Sequence, residues 1–442
     1  MFYGTARINE ANHLEIGGCD AVALAREFGT PLYVMDEDLI RQNCRQYKDT
    51  LSKLHENSEV IYAGKAFLTM GMCRILEEEG LALDVVSGGE LYTAIKAGFP
   101  AEKIYFHGNN KSCDELNMAI EYGVGRVIVD NFFELEILKD LLKKHHAKIR
   151  VLLRITPGIE AHTHDYIKTG QLDSKFGFGM ENGHAMMAVE NALSIKGIKL
   201  MGFHCHIGSQ IFEKEPFQMA AEVMMKFARD IYDRYGYKAG EIDFGGGFGI
   251  KYIDEDRPLP VETYLSTLVE SVKLWAERVN MPVPRILIEP GRAIVGPAGT
   301  TLYTVGSIKN IPGIRKYVSV DGGMSDNIRP ALYGAKYSAI LANKAGLAPQ
   351  EKVSVAGKCC ESGDMLIWDV ALPKVAPGDI LAVFCTGAYH YTMSSNYNRL
   401  PRPAVVFVRE GKAHLMVKRE TYEDLLRNEV FAPSKKAVSF AL

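Results

Sequence analysis

The sequence predicts an α/β protein in which a (β/α)8 barrel of the TIM type is joined to a second, mainly β domain. Short, continuously apolar runs alternate with stretches of helical periodicity between about residues 36 and 300. Continuous rather than alternating apolar runs are typical of strands that are buried on both faces of a parallel sheet. After about residue 300, segments such as TTLYTVGSIKN and RKYVSVDG follow one another as strands separated by turn residues.

Eight segments have the character of barrel strands, and helical stretches such as GELYTAIKAG lie between them. The predicted strands are 59–67, 82–87, 104–109, 126–130, 149–155, 198–207, 241–244 and 284–289. Eight β/α units over roughly 230 residues match a closed barrel. An open doubly wound sheet is the alternative, which the lack of a GxGxxG motif after the first strand disfavours.

Two domains are expected. Residues 36–300 form the barrel, and residues 301–442 form the β domain together with residues 1–35, where ARINEANHLEIGG and TPLYVMD have the pattern of short strands.

The composition favours a globular enzyme of the cytoplasm over several other classes. Hydrophobic residues make up 47% and charged residues 24%, and the net charge is −3 without a basic tract. This balance argues against nucleic acid or an anionic membrane as a partner. No signal peptide and no apolar run of about 18 residues is found. The eight cysteines are scattered without a CxxC motif, which indicates reduced thiols and no metal site.

A polar residue or a glycine cluster stands at each predicted strand end, where barrel enzymes place their chemistry. These residues are Lys65, Asp84, His107 with Asn109, Asp130, Arg154, His206 with Ser209, Gly245 to Gly247, and Glu289 with Arg292. Because the carboxyl ends of all barrel strands meet at one face, the side chains are expected to surround one site. Eight such ends in succession are difficult to explain as solvated loops.

Lys65 is a candidate for a Schiff base. It ends an apolar strand, so we expect burial at the barrel mouth to lower its pKa and make it a nucleophile. The alternative is an ordinary strand-end lysine that reaches solvent.

A phosphate site is expected after the seventh strand. The run DFGGGFGI places Gly245, Gly246 and Gly247 where barrels commonly bind phosphate, although a flexible loop is the alternative. Glu289 can hold a protonated ring nitrogen, which an electron-sink cofactor needs, and Arg292 can clamp a phosphate or a carboxylate.

Longer motifs carry a family resemblance over nearly the whole chain. They are DVVSGGEL, FHGNNKS, SKFGF, HIGSQ, GGGFGI, EPGRAIVGPAG, RPALYGA, CESGD and GAYHYTMSSNYNRLPRPA. Together they resemble the diaminopimelate decarboxylases, a family of pyridoxal 5'-phosphate (PLP) enzymes with an alanine-racemase-type barrel. Two departures are YAGKAF, where the family usually has Val and Asn in place of Gly64 and Phe67, and Lys358 with Cys359 before CESGD.

The resemblance implies a role for each candidate residue. Lys65 forms the Schiff base with PLP, His206 stacks on the ring, and Glu289 pairs with the pyridine nitrogen. The cofactor is further held by Ser209, Gly245, Gly246, Gly247, Pro290, Gly291, Arg292 and Tyr389. Cys360 is the second catalytic residue, which protonates the carbanion that is left after CO2 departs.

The family also implies a homodimer with shared sites, in which Cys360 and Glu361 of the β domain reach the partner's lysine. The substrate-binding residues are Arg292, Arg329, Tyr333, Glu361 and Tyr389. Cations beside Glu361 suit a distal end that carries both an amine and a carboxylate. The implied reaction is decarboxylation of meso-2,6-diaminopimelate at its D-centre to L-lysine, the last step of lysine synthesis.

Two alternatives stay open at this point. The first is a decarboxylase of arginine, ornithine or lysine, or carboxynorspermidine. The second is a non-catalytic PLP-binding or regulatory protein, which the joint presence of Lys65, Cys360 and Glu289 disfavours. Glu289 itself favours decarboxylation over racemisation, since racemases of this fold place an arginine against the ring nitrogen.

Overall fold

A closed barrel of eight parallel strands forms the centre of the computed structural model, which describes residues 2–159 and 174–430. The chain begins with four short strands, β1 (Arg7–Ile8), β2 (Leu14–Ile16), β3 (Cys19–Asp20) and β4 (Leu32–Asp36). The barrel strands are β5 (Ser58–Ala63), β6 (Ala82–Val85), β7 (Ile104–Phe106), β8 (Arg126–Val129), β9 (Ile149–Thr156), β11 (Ile198–His204), β12 (Glu241–Asp243) and β13 (Arg285–Ile288). A two-residue strand, β10 (Phe178–Gly179), pairs with β9.

The ring closes because β8 pairs with β9 and β13 pairs with β5, both in parallel. The predicted closed barrel is therefore confirmed, and the open-sheet alternative is wrong. Six strands each contribute one side chain to an apolar cluster, namely Ile61, Ala82, Tyr105, Ile128, Leu152 and Leu287. A much larger cluster joins the strands to the surrounding helices.

Local sequence signals start and stop the barrel helices. Helix α1 (Ala21–Phe28) lies before the barrel in the chain. The helices that precede or follow barrel strands are α2 (Glu37–Leu54), α3 (Met70–Glu79), α4 (Gly88–Ala97), α5 (Cys113–Tyr122), α6 (Phe132–His145), α7 (His184–Ser194), α8 (Glu215–Tyr235), α9 (Val261–Arg278) and α10 (Arg292–Val295). Ser112 and Glu115 form a capping box at the start of α5, and Gly123 ends that helix with a positive φ of 79°. Such caps fix where each loop leaves the barrel.

The second domain is built around a mixed β-sheet. Its strands are β14 (Gly299–Ile311), β15 (Arg315–Val320), β16 (Ala339–Leu341), β17 (Glu351–Ala356), β18 (Met365–Leu372), β19 (Ile380–Phe384), β20 (Ala404–Arg409) and β21 (Lys412–Val417), with short helices α11 (Arg329–Tyr333) and α12 (Tyr422–Leu426). β4 lies between β14 and β20, so an N-terminal strand completes a sheet of the C-terminal region. The domain limits at residues 36 and 300 stay a prediction.

Among residues 2–159 and 174–430, no helix combines the length and the hydropathy that a bilayer crossing requires.

Candidate active site

A cavity of about 200 Å³ opens at the carboxyl ends of the barrel strands and reaches the β domain. It is lined by Lys65, His206, Ser209, Gly246, Gly247, Glu289, Pro290, Gly291, Arg292, Arg329, Tyr333 and Tyr389, all of which were predicted as site residues. Gly245 lies beside this lining and donates its N–H to Asp243 Oδ1 at 2.8 Å. Most of the predicted site therefore converges on one place.

Lys65 enters the cavity because β5 ends at Ala63 and the next three residues form a 3-10 turn. Its side chain is open to the cavity, although protein atoms surround it. Burial alone lowers the pKa of Lys65, but electrostatic interactions with Tyr389, Asp84 and Glu289 outweigh burial and raise it. The expected fall in this pKa is wrong, because carboxylates on neighbouring strand ends face the amine.

Glu289 follows β13 and lies between two imidazoles. Its Oε1 is 2.7 Å from Nε2 of His107, and its Oε2 is 3.2 Å from Nε2 of His204. Burial alone raises the pKa of Glu289, but the two imidazoles, chiefly His107, outweigh burial and lower it well below its usual value. The site thus holds a buried carboxylate that can pair with a cationic ring nitrogen.

His206 is oriented by the glycine loop. The N–H of Gly246 donates to its Nδ1 at 3.3 Å, which leaves the proton of a neutral ring on Nε2. Burial lowers the pKa of His206 well below its usual value, so the ring is neutral at physiological pH. A neutral imidazole held in this way can lie against a flat aromatic ligand.

Three loops meet at the glycines after β12. A Cβ at Gly246 would lie 2.2 Å from the carbonyl oxygen of Glu289, and one at Gly247 would lie 2.5 Å from that of Gly208. Only glycine lets these backbones approach so closely. Beside them, Arg292 Nη2 donates to Ser209 Oγ at 3.0 Å, which places a cation and a hydroxyl next to free space for a phosphate.

Arg329 begins α11 and lies at another part of the cavity wall. It is 8% exposed, and its Nε donates to the hydroxyl of Tyr337 at 2.8 Å. Its guanidinium also lies 5.4 Å from the ring centre of Tyr333. A second cavity of about 350 Å³ adjoins this region and shares Arg292, Arg329 and Tyr333 with the first.

Cys360 and Glu361 are not brought to this cavity within one chain. Both are exposed on the loop between β17 and β18, and the backbone N–H of Cys360 donates to Asn398 Oδ1 at 2.6 Å. Neither is among the described residues that line the cavity.

Sequence reasoning missed four residues around the site, namely His204, Asp243, Tyr252 and Tyr337. His204 had a usable signal: it is two positions before His206, and residues two apart on a strand face the same side. Tyr252 holds Arg292 Nη1 at 2.6 Å but lies in a loop, where no periodicity points to it.

Comparisons with known proteins agree with this site. Residues 37–296 match the family model described as the pyridoxal binding domain of pyridoxal-dependent decarboxylases. The diaminopimelate decarboxylase of Bacillus subtilis (strain 168) is 58% identical over 97% of both chains. The crystal structure of the M. jannaschii diaminopimelate decarboxylase with L-lysine covers 98% of this chain and 99% of its own, at 36% identity and a TM-score of 0.91. The Helicobacter pylori enzyme with L-lysine covers 92% and 98%, at 31% identity and a TM-score of 0.84.

Family match, near full-length similarity and the shared fold lead to one conclusion: the chain belongs to the diaminopimelate decarboxylase family of PLP-dependent decarboxylases.

Proposed function

We propose that the cavity around Lys65 is where this PLP-dependent carboxy-lyase converts meso-2,6-diaminopimelate into L-lysine and CO2. The observation that carries the proposal is the convergence on one cavity of an amine, a buried carboxylate, a glycine cradle and two arginines. The similarity to diaminopimelate decarboxylases that were crystallised with L-lysine supports the choice of substrate.

The residues present fit PLP. The Lys65 amine matches its aldehyde, and the Glu289 carboxylate matches its ring nitrogen. Gly247 offers a backbone N–H and Ser209 a hydroxyl to its phosphate, and Gly246 lets the backbone approach closely in a cradle that any Cβ would obstruct. When bound, PLP supplies an electron sink for the electron pair of the breaking Cα–CO2 bond.

The protein residues then have separate tasks. Lys65 would hold the cofactor and would release it to the substrate amine. Glu289 would accept a hydrogen bond from the protonated ring nitrogen and keep that proton in place. The neutral imidazole of His206 would lie against the face of the cofactor.

We assign the distal end of the substrate to Arg292, Arg329 and Tyr333, with Tyr389 beside them. Two buried guanidiniums suit a carboxylate, and Glu361 from a second copy suits the neighbouring ammonium. Recognition of the L-centre at this end leaves the D-centre at Lys65, which gives L-lysine as the product.

We further propose a homodimer of the cytoplasm in which each β domain serves the partner's barrel. Cys360 of one chain delivers the proton that replaces CO2 at Cα in the other. The exposure of Cys360 and Glu361, and their absence from the described residues that line the cavity of their own chain, support this arrangement.

A substrate panel tests the reaction. CO2 release from meso-diaminopimelate is compared with release from L-lysine, L-ornithine and L-arginine, and the product is resolved by chiral chromatography. We expect a strong preference for meso-diaminopimelate and L-lysine as the product. Preference for a substrate without a distal carboxylate, or formation of D-lysine, would contradict the assignment.

Reductive labelling tests the cofactor position. Borohydride fixes a PLP Schiff base to its lysine, and peptide mapping by mass spectrometry then locates the modified residue. The label is expected on Lys65 and is expected to vanish in Lys65→Ala. A label on another lysine of the purified protein refutes the role of Lys65.

A further inference from the structure

Three buried carboxyl groups face one another beneath the proposed cofactor site. They are Asp84 on β6, Asp243 at the end of β12 and Glu289 after β13, and all three are at most 6% exposed. Burial raises the pKa of Asp84 and, together with the charge of Glu289, that of Asp243. Only Glu289 has its pKa lowered, so the site distinguishes one carboxyl group from its two neighbours.

The distinguishing feature is a pair of imidazoles. His107 follows β7 and His204 is the last residue of β11, so two strands on either side of the barrel deliver them to the same carboxylate. Their rings meet edge to face with centroids 4.9 Å apart, and each presents Nε2 to a different oxygen of Glu289. In contrast, Oδ1 of Asp84 lies 4.0 Å from Nε2 of His107.

The protons in this cluster can be assigned from chemistry. A carboxylate only accepts hydrogen bonds, so the nitrogen that faces it carries the hydrogen. Burial lowers the pKa of His204 to about 4, so His204 is a neutral donor at physiological pH. Nε2 of His204 hydrogen-bonds Oε2 of Glu289, whereas Nε2 of His107 lies 2.7 Å from Oε1 as a close polar contact without hydrogen-bond geometry. The three groups also have metal-ligand spacing, but a facing Nε2 that carries a hydrogen offers no lone pair to a metal ion.

We propose that His107 and His204 are positioning residues that keep Glu289 ionised and fix its carboxylate toward the ring nitrogen of the cofactor. This inference rests on the proposed function, in which Glu289 is the partner of that nitrogen. Without the two imidazoles, burial raises the pKa of Glu289, as it does for Asp84 and Asp243, and favours its protonated form. Glu289 then faces the ring nitrogen as an acid, and the nitrogen loses its own proton.

The protonation state of the ring nitrogen tests the proposal directly. Each protein is reconstituted with PLP that carries 15N at the ring nitrogen, and the 15N chemical shift is recorded without substrate. The variants are His107→Leu and His204→Leu, which remove a donor at similar volume. The matched controls are His107→Gln and His204→Gln, whose amide N–H can take the place of Nε2.

We expect the unmodified chain and both Gln variants to give the shift of a protonated nitrogen. The Leu variants are expected to move toward the unprotonated shift, with kcat lowered about 10- to 100-fold, the range that corresponds to loss of one hydrogen bond to a charged group. KM for meso-diaminopimelate should change little, since neither histidine lines the part of the cavity that holds Arg292 and Arg329.

The role of Glu289 and the role of the two histidines are tested separately. If the unmodified chain binds no PLP, or binds it with an unprotonated nitrogen, the role of Glu289 in the proposed function is wrong. If the nitrogen is protonated in the unmodified chain and equally protonated in the Leu variants, only the role of the histidines is wrong. Circular dichroism and PLP stoichiometry identify any variant that does not fold, and the remaining single variant then decides the question.

Discussion

Arg329 has an unusual environment for a guanidinium. It is 8% exposed, and its neighbours are the hydroxyl of Tyr337 and the rings of Tyr252, Tyr333 and Tyr389. Within the described part of the chain it forms no salt bridge, and a buried cation without a counter-charge is costly. In the proposed function, a carboxylate of the substrate is the counter-charge for this guanidinium.

Replacement of Arg329 is therefore expected to affect substrate binding. Arg329→Ala should raise KM for meso-diaminopimelate about 10- to 100-fold, since a hydrogen bond to a charged group contributes about 1.5–3 kcal/mol. Steady-state kinetics and PLP stoichiometry measure the effect, and bound PLP should be unchanged. Arg26→Ala, at an exposed position of α1, is the control. An unchanged KM in Arg329→Ala would refute the distal-end assignment.

Asp326 links stability to pH in the β domain. It is 2% exposed, and burial raises its pKa to about 7 although the hydroxyl of Tyr303 and the N–H of Gly323 donate to it. A folded-state pKa above the unfolded value of 3.8 means that the stabilising contribution is present below about pH 4. It is lost as the pH rises toward and through about 7, because the folded protein must then hold a buried charge.

Asp326→Asn should remove this pH dependence. The amide keeps an acceptor for the N–H of Gly323 and carries no charge. The unfolding free energy of the variant minus that of the parent should therefore increase by up to roughly 4 kcal/mol between pH 4 and 8. Denaturant unfolding at a series of pH values measures that difference. A difference that stays constant over this range would show that Asp326 titrates as in the unfolded chain.

Residues of the site differ in how far the sequence could identify them. Lys65, Gly246 and Glu289 lie within three residues of strand ends, so the barrel pattern alone places them at the active face. Tyr252 and Tyr337 lie in loops, and their contacts with Arg292 and Arg329 connect residues that no local pattern relates. The pKa of Lys65 was predicted in the wrong direction, since a sequence shows burial of the strand and does not show which charges face its end.

At the scale of elements, all eight barrel strands were predicted, but most end earlier than expected. The first was predicted to continue to Phe67 and ends at Ala63, where the chain turns so that Lys65 can enter the cavity. The sixth was predicted to continue to Ile207 and ends at His204. Apolar character continues past both ends, because the turns are themselves buried, and apolar patterns do not distinguish a buried turn from a strand.

The amino ends of the strands carry a buried ion pair at the opposite face from the site. Arg126 begins β8 and Glu241 begins β12, and they form two hydrogen bonds of 2.8 and 2.6 Å across 115 positions of sequence. Arg285, the first residue of β13, lies 3.6 Å from the same carboxylate. The pair of Arg126 and Glu241 ties β8 to β12, two strands that do not pair with each other, whereas Arg285 belongs to β13, which pairs with β12.

Removal of one partner should destabilise the barrel more than removal of both. Glu241→Leu leaves Arg126 buried without its carboxylate, and we expect a loss of about 3–5 kcal/mol in unfolding free energy. Arg126→Met combined with Glu241→Leu should recover most of that loss. Denaturant unfolding of the two single variants and the double variant gives the coupling energy. A loss in the double variant equal to the sum of the two single losses would contradict a coupled pair.

At the scale of the molecule, the two domains share one site. Tyr389 of the β domain lines the cavity with barrel residues, and its backbone N–H donates to the carbonyl of Ala66 at 2.8 Å, one residue from Lys65. β4 adds a second connection, because it lies within the C-terminal sheet and leads directly into α2. The domain pattern was visible in the sequence, whereas this interlocking depends on long-range strand pairing.

The proposed homodimer makes a prediction that only two chains together can fulfil. Cys360 is exposed outside the cavity lining of its own chain, and Lys65 is open to a cavity that no thiol of the described residues lines.

If each site combines Lys65 of one chain with Cys360 of the other, Lys65→Ala and Cys360→Ala are each nearly inactive alone. After subunit exchange at equal amounts, half of the dimers are mixed, and each mixed dimer has one intact site of two. Decarboxylase activity should return to about a quarter of the parent value. Native mass spectrometry of size-tagged chains verifies the exchange. Cys113→Ala, at another exposed thiol, is the control and should be active both alone and after exchange with either inactive variant. Mixed dimers without activity would place Cys360 and Lys65 in the same chain's site, and an active Cys360→Ala homodimer would remove Cys360 from the reaction.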